Sequence, residues 1–430
     1  MNKYKSFIFK KYSFNENDKE LALHYTYDDD IEFVERYIFD FDFTDYDKES
    51  LDRAFNLLFF MAGVSYYKAF LASNIRIDFG LIDQSLSKFL SHTYQKGLGE
   101  FFYVNKIDPN TTIHFPVNSE EFSTIKAKTH NSKLVGIGGG KDSLVSIEVL
   151  KEQKNVYSFS VNHRKLLDPL VEVIGLPHFP VERILDKKLT DINAHGAYNG
   201  HVPISAIIAC VGVVTSILQG SSDIIVSNES SANEPTLIFD GVSINHQYSK
   251  SLEFEKDFQQ LIKGYYGDTV RYYSLLRPLS ELAIAELFAY SGFEKYKDVF
   301  SSCNRAFTSH SNHLYWCGEC PKCAFIFLAL TPFIKREKLE ALWDKNLLLD
   351  PQLQETYKAL LGITGDKPLD CVGEIKESRE AMRLAQSKYP ELSNYKFDIP
   401  IEYDFHSFSQ HCVPQEELKL LHKFMSETLH

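Results

Sequence analysis

Apolar and polar positions alternate over residues 6–9 and 21–27, with Asn15-Glu16-Asn17-Asp18 between them. A period of two predicts short antiparallel strands joined by a turn. The period then lengthens. Leu51, Phe55, Leu58, Phe59 and Val64 recur at helical spacing up to about Leu71, and a second helix is expected over residues 84–97. These elements predict an N-terminal α+β domain of residues 1–130, linked onward by the polar segment 118–132.

Residues 131–300 read differently. The apolar run 133–137 enters glycines, a helical stretch covers 143–151, and strand-like runs follow at 156–161 and 223–227. Alternating strands and helices predict an α/β domain, a parallel sheet with helices on both faces. Ligands in such sheets bind beyond the carboxyl ends of the strands, where two polar motifs fall. The most apolar stretch, residues 202–218, contains Pro203, Ser205, Thr215 and Ser216. It falls short of the ~20 apolar residues of a membrane span, so a buried helix is expected. Helical spacing at 335–343, 353–361 and 374–388, with a loop at 362–368, predicts a helical C-terminal region, residues 331–430.

Composition narrows the function classes. Aromatic residues at 14% are incompatible with overall disorder. The 46 Lys and Arg against 58 Asp and Glu leave a net charge of −12, which disfavours non-specific binding to nucleic acid or anionic membranes. Residues 1–9 carry Lys3, Lys5 and only the short run Phe7-Ile8-Phe9, too little for a signal-peptide core. Four of the seven cysteines crowd into residues 303–323, which indicates a reducing cytoplasm and a metal site in place of a disulfide framework.

The glycine motif is Gly138-Gly139-Gly140-Lys141-Asp142-Ser143, between a strand and a helix. Bare glycines let backbone N–H groups approach an anion, the helix start adds a positive dipole, and Ser143 is placed to cap it and donate to a phosphate. Asp142 beside phosphates calls for a cation, and Mg²⁺ fits. A glycine turn serving only close packing is the plainer reading. The order of residues is neither a Walker A loop nor a dinucleotide fingerprint. It resembles the S-G-G-x-D-S loop of the PP-loop ATP pyrophosphatases, with Gly138 in place of the first Ser. Those enzymes split ATP into AMP and pyrophosphate while adenylating a substrate oxygen. In such a fold Ser227, Asn228 and Glu229 end a later strand facing the nucleotide. Glu229 is then a second Mg²⁺ ligand, and Asn228 reads ribose or adenine. A surface turn explains the same composition.

Cys317-Gly318-Glu319-Cys320-Pro321-Lys322-Cys323, with Cys303 upstream, has the spacing of a four-thiolate zinc knuckle over residues 301–330. With every position filled by protein, the Zn²⁺ is structural. His310 and His313 are alternatives for the fourth ligand, and an iron–sulfur cluster fits the same spacing. A similar knuckle follows the ATPase core in PP-loop cyano-deazaguanine synthases. Cys210 reads as core packing.

Three further segments are more polar than their surroundings: residues 199–203 with His201, 245–255 with His246 and Lys250, and 277–282 with Arg277. Capping and salt bridging account for each alone. His246 and Lys250, four apart at a helix start, are expected on one helical face.

Together these segments resemble one family, the ATP-dependent UDP-N-acetylmuramoyl-L-alanyl-L-glutamate epimerases of peptidoglycan synthesis. The resemblance rests on residues 62–68, 139–143, 199–203, 227–229, 246–255, 277–285, 303–307 and 316–323, with Lys367-Pro368 and Cys371-Val372-Gly373-Glu374 beyond. It implies a cytoplasmic enzyme that takes the UDP-muramoyl dipeptide and ATP and adenylates the terminal glutamate carboxylate. It also implies ATP and Mg²⁺ on residues 138–143, 227–229 and Arg277, with Asp142 and Ser143 acting in catalysis. His201, His246, Lys250, Cys371 and Glu374 are the candidates for removing and returning the α-hydrogen, and pyridoxal phosphate is not required. Lys68, Lys141, Arg277 and Arg305 are candidate anion contacts. The aromatic front domain is expected to close over the muramoyl or uridine part. A PP-loop enzyme modifying a nucleobase or tRNA, and a non-catalytic nucleotide-binding protein, are the competing readings.

Overall fold

The computed structural model describes residues 3–307, 311, 313–394 and 403–429. Its centre is one nine-stranded sheet. Strands β1 (Ser6–Asn15), β2 (Glu20–Tyr27) and β3 (Ile31–Phe39) form the expected antiparallel meander, and β4 (Asn74–Ile77) joins β1 in parallel. Strands β5 (His130–Gly136), β6 (Val156–Val161), β7 (His178–Ile184) and β8 (Ser221–Val226) follow. A two-stranded ribbon, β9 (Leu237–Phe239) and β10 (Val242–Ile244), stands apart, and β11 (Arg271–Ser274) completes the sheet. The spatial order is β11-β8-β5-β6-β7-β3-β2-β1-β4.

Within the large sheet, the strands from residue 130 onward run parallel to one another, as expected. The whole sheet is mixed, however, because it does not stop there. Strand β3 pairs antiparallel with β7, from Arg36 opposite Ile184 to Phe39 opposite Val181. That pairing covers the edge that β7 would otherwise expose and joins the front segment to the sheet behind it.

Strands β5, β6, β8 and β11 are covered on both faces, and neighbouring residues divide between two cores. Leu134, Ile224 and Tyr272 face one; Val135, Ile225 and Tyr273 face the other. The first core holds α1 (Lys48–Ala62), α2 (Gln84–Gly97) and α3 (Gly99–Asn105). On the opposite face lie α4 (Lys141–Leu150) and α5 (Arg164–Ile174). Helices α6 (Ile204–Gln219) and α7 (Leu252–Tyr266) return to the first. The second face is completed by α8 (Glu281–Ser291), α9 (Pro321–Leu330) and α10 (Ile375–Lys388). Helix α6 is the apolar stretch seen in the sequence. Ile207, Val211, Val214 and Leu218 are all fully buried, each worth ~1.5–3 kcal/mol of apolar burial. Among the described residues, no helix is long and apolar enough to cross a membrane. Past residue 331 the helical stretches are shorter than the spacing suggested, Arg336–Glu340 and Gln354–Leu360, whereas α10 matches closely.

Candidate active site

The parallel strands taken in chain order run 3-2-1-4-5 across the sheet, so the order reverses between β5 and β8. At such a reversal the connections leave in opposite directions, opening a crevice at the carboxyl ends of the two strands. A cavity of about 530 Å³ lies there. Gly138, Gly140, Asp142 and Ser143 line it from the end of β5, and Ser227 and Asn228 from the end of β8.

The glycines differ in role. Gly139 has φ +91°, and a Cβ there would stand 2.9 Å from the Ser301 carbonyl oxygen and from Phe307. The Ser301 N–H in turn donates to the Gly139 carbonyl at 3.0 Å, so this glycine braces the loop against the cysteine segment and does not line the cavity. Around Gly138 a Cβ would meet nothing within 4 Å. Gly140 is the residue capping α4, and the Ser143 hydroxyl donates back to its carbonyl at 3.1 Å. Ser143 therefore sits inside the first turn and does not cap it.

Lys141 also departs from expectation. Its ammonium is buried between Asp142 and Glu281, not presented to the cavity as an anion contact. The cation that Asp142 called for is thus supplied in part by its own neighbour. Lys322 approaches Glu281 at 3.6 Å from the other side and does line the cavity. Burial pushes Glu281 up, but Lys141 and Lys322 overcome it and hold the carboxyl down at about 2. Among the described residues no ammonium pairs directly with Glu229, although Lys250 and Lys322 oppose its shift from further away. Burial, then Glu281 and Asp142, push it up to about 7, and burial and Glu281 also raise Asp142. Both carboxyls therefore hold their protons more tightly than free ones do, and of the two Asp142 lines the cavity whereas Glu229 is buried and does not.

Arg277 is fully buried and turned inward. It donates to Glu255 at 2.9 Å and to the carbonyls of Glu229 and Lys250. It fixes the two segments that carry site residues, but it does not reach the cavity as the expected phosphate contact. Lys68 donates to Asn199 at 2.7 Å and to the Gly200 carbonyl at 3.0 Å, shaping the turn before His201, and burial lowers it to about 8. Arg305 is exposed and paired with Glu319. Glu374 caps α10 in a reciprocal box with Glu377 and pairs with Lys376 at 2.7 Å, a helix-start role, and it does not line the cavity.

The other candidates converge. Cys371 lines the same cavity, with Lys250 Nζ 3.4 Å and His246 Nε2 3.8 Å from its sulfur. His246 and Lys250 are not on one α-helical face: residues 248–250 form a 3₁₀ turn, and Ser251 caps α7 only after them. The turn still directs both side chains to the thiol. Behind His246, its Nδ1 meets Glu100, and His201 Nδ1 lies 3.7 Å from the same carboxylate, with the imidazole centroids 4.6 Å apart. Burial pushes the Cys371 thiol up, but Lys250 and His246 outweigh it and hold it at about 6. Burial lowers His246, but Cys371 and Glu100 prevail and carry it to about 9. His201, pushed down to about 4 by burial and by His246, is a neutral imidazole at pH 7.

Glu100, Glu281 and Lys322 were not singled out in the sequence. Glu100 stands 146 residues before the histidine it meets, on a helix of the front segment, and nothing local marks it. Lys322 had a visible signal, a lysine between two clustered cysteines.

The four cysteine sulfurs do converge, all lying within 4.8 Å of one another. Cys303 and Cys320 are 3.9 Å apart, and Cys317 and Cys323 are 3.8 Å apart. Thiolates ~2.3 Å from one tetrahedral ion stand ~3.8 Å from each other, so the donor set fits a single metal ion. Cys320 also caps α9, accepting from the Cys323 N–H at 3.4 Å. His313 is not among the converging ligands, and His310 lies outside the described residues.

Residues 1–275 match the family described as MurL N-terminal domain, and residues 299–396 the one described as MurL C-terminal domain. A Salinispora tropica protein named UDP-N-acetyl-alpha-D-muramoyl-L-alanyl-L-glutamate epimerase is 40% identical over 338 residues, 78% of this chain and 73% of its own. A protein of the same name from Xanthomonas oryzae pv. oryzae is 40% identical over 345 residues, covering 79% and 76%. No solved structure matches significantly. Glycine loop, cysteine cluster and thiol-bearing cavity thus occur in a chain that belongs to the UDP-N-acetyl-alpha-D-muramoyl-L-alanyl-L-glutamate epimerase family.

Proposed function

We propose that the protein inverts the terminal L-Glu of UDP-N-acetylmuramoyl-L-Ala-L-Glu after ATP has adenylated its carboxylate, giving AMP and pyrophosphate, in the cytoplasm. The relatives carry the name of this substrate. The observation that carries the ATP chemistry is the sharing of one cavity by the glycine loop, Lys250 and Cys371, with His246 against the thiol.

The reason for adenylation is electrostatic. Removing the α-hydrogen beside a free carboxylate would set a second negative charge next to the first. A mixed anhydride with AMP removes the first charge and withdraws electrons, so a neighbouring base can take the hydrogen and a proton can return to the other face. In this reading the triphosphate lies along Gly138, Gly140 and Ser143 at the start of α4. Lys250 and Lys322 bring ammonium groups to the same cavity for the phosphates and the substrate carboxylate. Mg²⁺, held by Asp142 and Glu229, would neutralise phosphate charge. Zn²⁺ on Cys303, Cys317, Cys320 and Cys323 would be structural; the sulfur spacing is that of one ion, whereas a cluster of several irons spreads its ligands further apart.

The test is deuterium incorporation at the glutamate α-carbon in heavy water. Exchange should require ATP, accompany AMP formation, and vanish in Asp142→Ala. Equal exchange without ATP, or ADP and phosphate as products, would exclude adenylation as the activating step.

A further inference from the structure

The grouping around Cys371 has more parts than a proton carrier needs. The sulfur faces the nucleotide cavity, the imidazole of His246 lies beside it, and the Glu100 carboxylate holds that ring from behind. This nucleophile, imidazole and orienting carboxylate, contributed by three distant segments, is the arrangement that activates a thiol for attack on an acyl carbon. Lys250 adds a fourth part. Its ammonium lies 3.4 Å from the sulfur, and the bond from Arg277 to its backbone carbonyl fixes the segment that carries it; that positive charge beside the thiol can stabilise an oxyanion formed there.

We propose that Cys371 takes the activated glutamyl group from AMP, so that the residue is inverted while held as a thioester. The proposal rests on the adenylation reading above.

The acidity of the thiol favours this role over that of base. Lowering a thiol from its ordinary 9.0 to about 6 weakens it as a base by three powers of ten. Its nucleophilicity falls less steeply, with a Brønsted slope of ~0.4–0.5, by only ~1.2–1.5 powers of ten. Lys250 and His246 therefore tune Cys371 away from proton abstraction and leave it a competent nucleophile.

The steps balance. The Cys371 thiolate attacks the carbonyl carbon of the glutamyl adenylate. The S–C bond forms, the C–O bond to the phosphate breaks, and AMP leaves with the electron pair. Thioester sulfur donates little density to its carbonyl, so the α-hydrogen stays acidic and passes to a neighbouring base, with a proton returned on the opposite face. His201, neutral at pH 7, and the charged His246 and Lys250 are the remaining groups in reach of that exchange. Water then attacks the thioester carbonyl, the C–S bond breaks, and the thiolate is restored as the carboxylate and two protons are released.

Isotope exchange separates the two readings without requiring an intermediate to accumulate. Purified full-length protein is given ATP, Mg²⁺ and UDP-N-acetylmuramoyl-L-Ala-L-Glu, with labelled pyrophosphate in one arm and labelled AMP plus unlabelled pyrophosphate in the other. A thioester makes AMP release reversible, so label should pass from AMP into ATP, dependent on substrate and on pyrophosphate. In Cys371→Ala that exchange should fall by roughly a hundredfold or more while the pyrophosphate exchange persists. Pyrophosphate exchange without AMP exchange in the wild-type protein overturns the thioester and leaves adenylation standing. Absence of both exchanges, with epimerisation intact, overturns adenylation itself. If Cys371→Ala fails to fold, the wild-type comparison still decides, and mass mapping of a hydroxylamine-sensitive adduct to a residue other than Cys371 also counts against the assignment.

Discussion

Lys250 is the cation that most lowers the Cys371 thiol against the opposing effect of burial. Replacing it by Met leaves the stem and removes the charge. In the wild-type protein, iodoacetamide labelling of Cys371 should reach half its maximal rate near pH 6; in Lys250→Met the half-point should move up towards the ordinary thiol value of 9.0. Cys412, which burial raises, is the internal reference and should label later in both. An identical half-point in the two proteins would show that the ammonium does not control the thiol. This residue was legible in the sequence as a candidate, but its relation to the thiol was not. The helix assumed over residues 246–250 placed His246 and Lys250 side by side on a surface, whereas the cap at Ser251 delays the helix and frees the preceding turn to point both inward.

At the scale of elements, the glycine loop is a strand-to-helix turn clamped from outside. Gly139→Ala would combine a left-handed backbone, costing ~1–2 kcal/mol, with a contact of 2.9 Å to a backbone oxygen that cannot swing aside. The loop would shift, and ATP binding measured calorimetrically should weaken far more than the melting temperature falls. Gly138→Ser meets open space and should keep activity. Equal losses in the two variants would contradict this division of roles. Loop and cysteine segment were both legible because their chemistry is compact in sequence: successive glycines, and thiols two residues apart. The bond from Ser301 to Gly139 that makes them one structure was not, since neither residue carries a side-chain signal for it. The pairing of β3 with β7 escaped for a related reason. Alternation in β3 reports which face is buried, but any open strand edge could have received it.

Across the whole molecule, buried charge sets a dependence on pH. Glu229 has its folded value raised from 4.5 to about 7, so the protein binds that proton more tightly when folded. The associated stability is fully present below pH 4.5 and is lost as pH rises through 7. Glu377, raised to about 8 by burial and by Glu374, extends the loss upward. Glu281, lowered to about 2, acts in the opposite sense: its contribution is present above pH 4.5 and is lost only as pH falls through about 2. His201, held at about 4, and Cys371, held at about 6, also act in the opposite sense, so the test is a difference: the melting temperature of Glu229→Gln relative to the wild-type protein should rise between pH 4.5 and 7. A difference between the two proteins that stays constant over this range would refute the assignment.

The bond between Ser301 and Gly139 also bears on how the chain is made. The glycine loop ends at residue 143, yet its brace is translated some 160 residues later, and the thiol later still. A nascent polypeptide stalled on the ribosome, or a product of premature termination, would hold the glycines without the wall that shapes them. On the function proposed above, such incomplete chains should consume no ATP, so nucleotide cleavage would wait until the cysteine segment had been made.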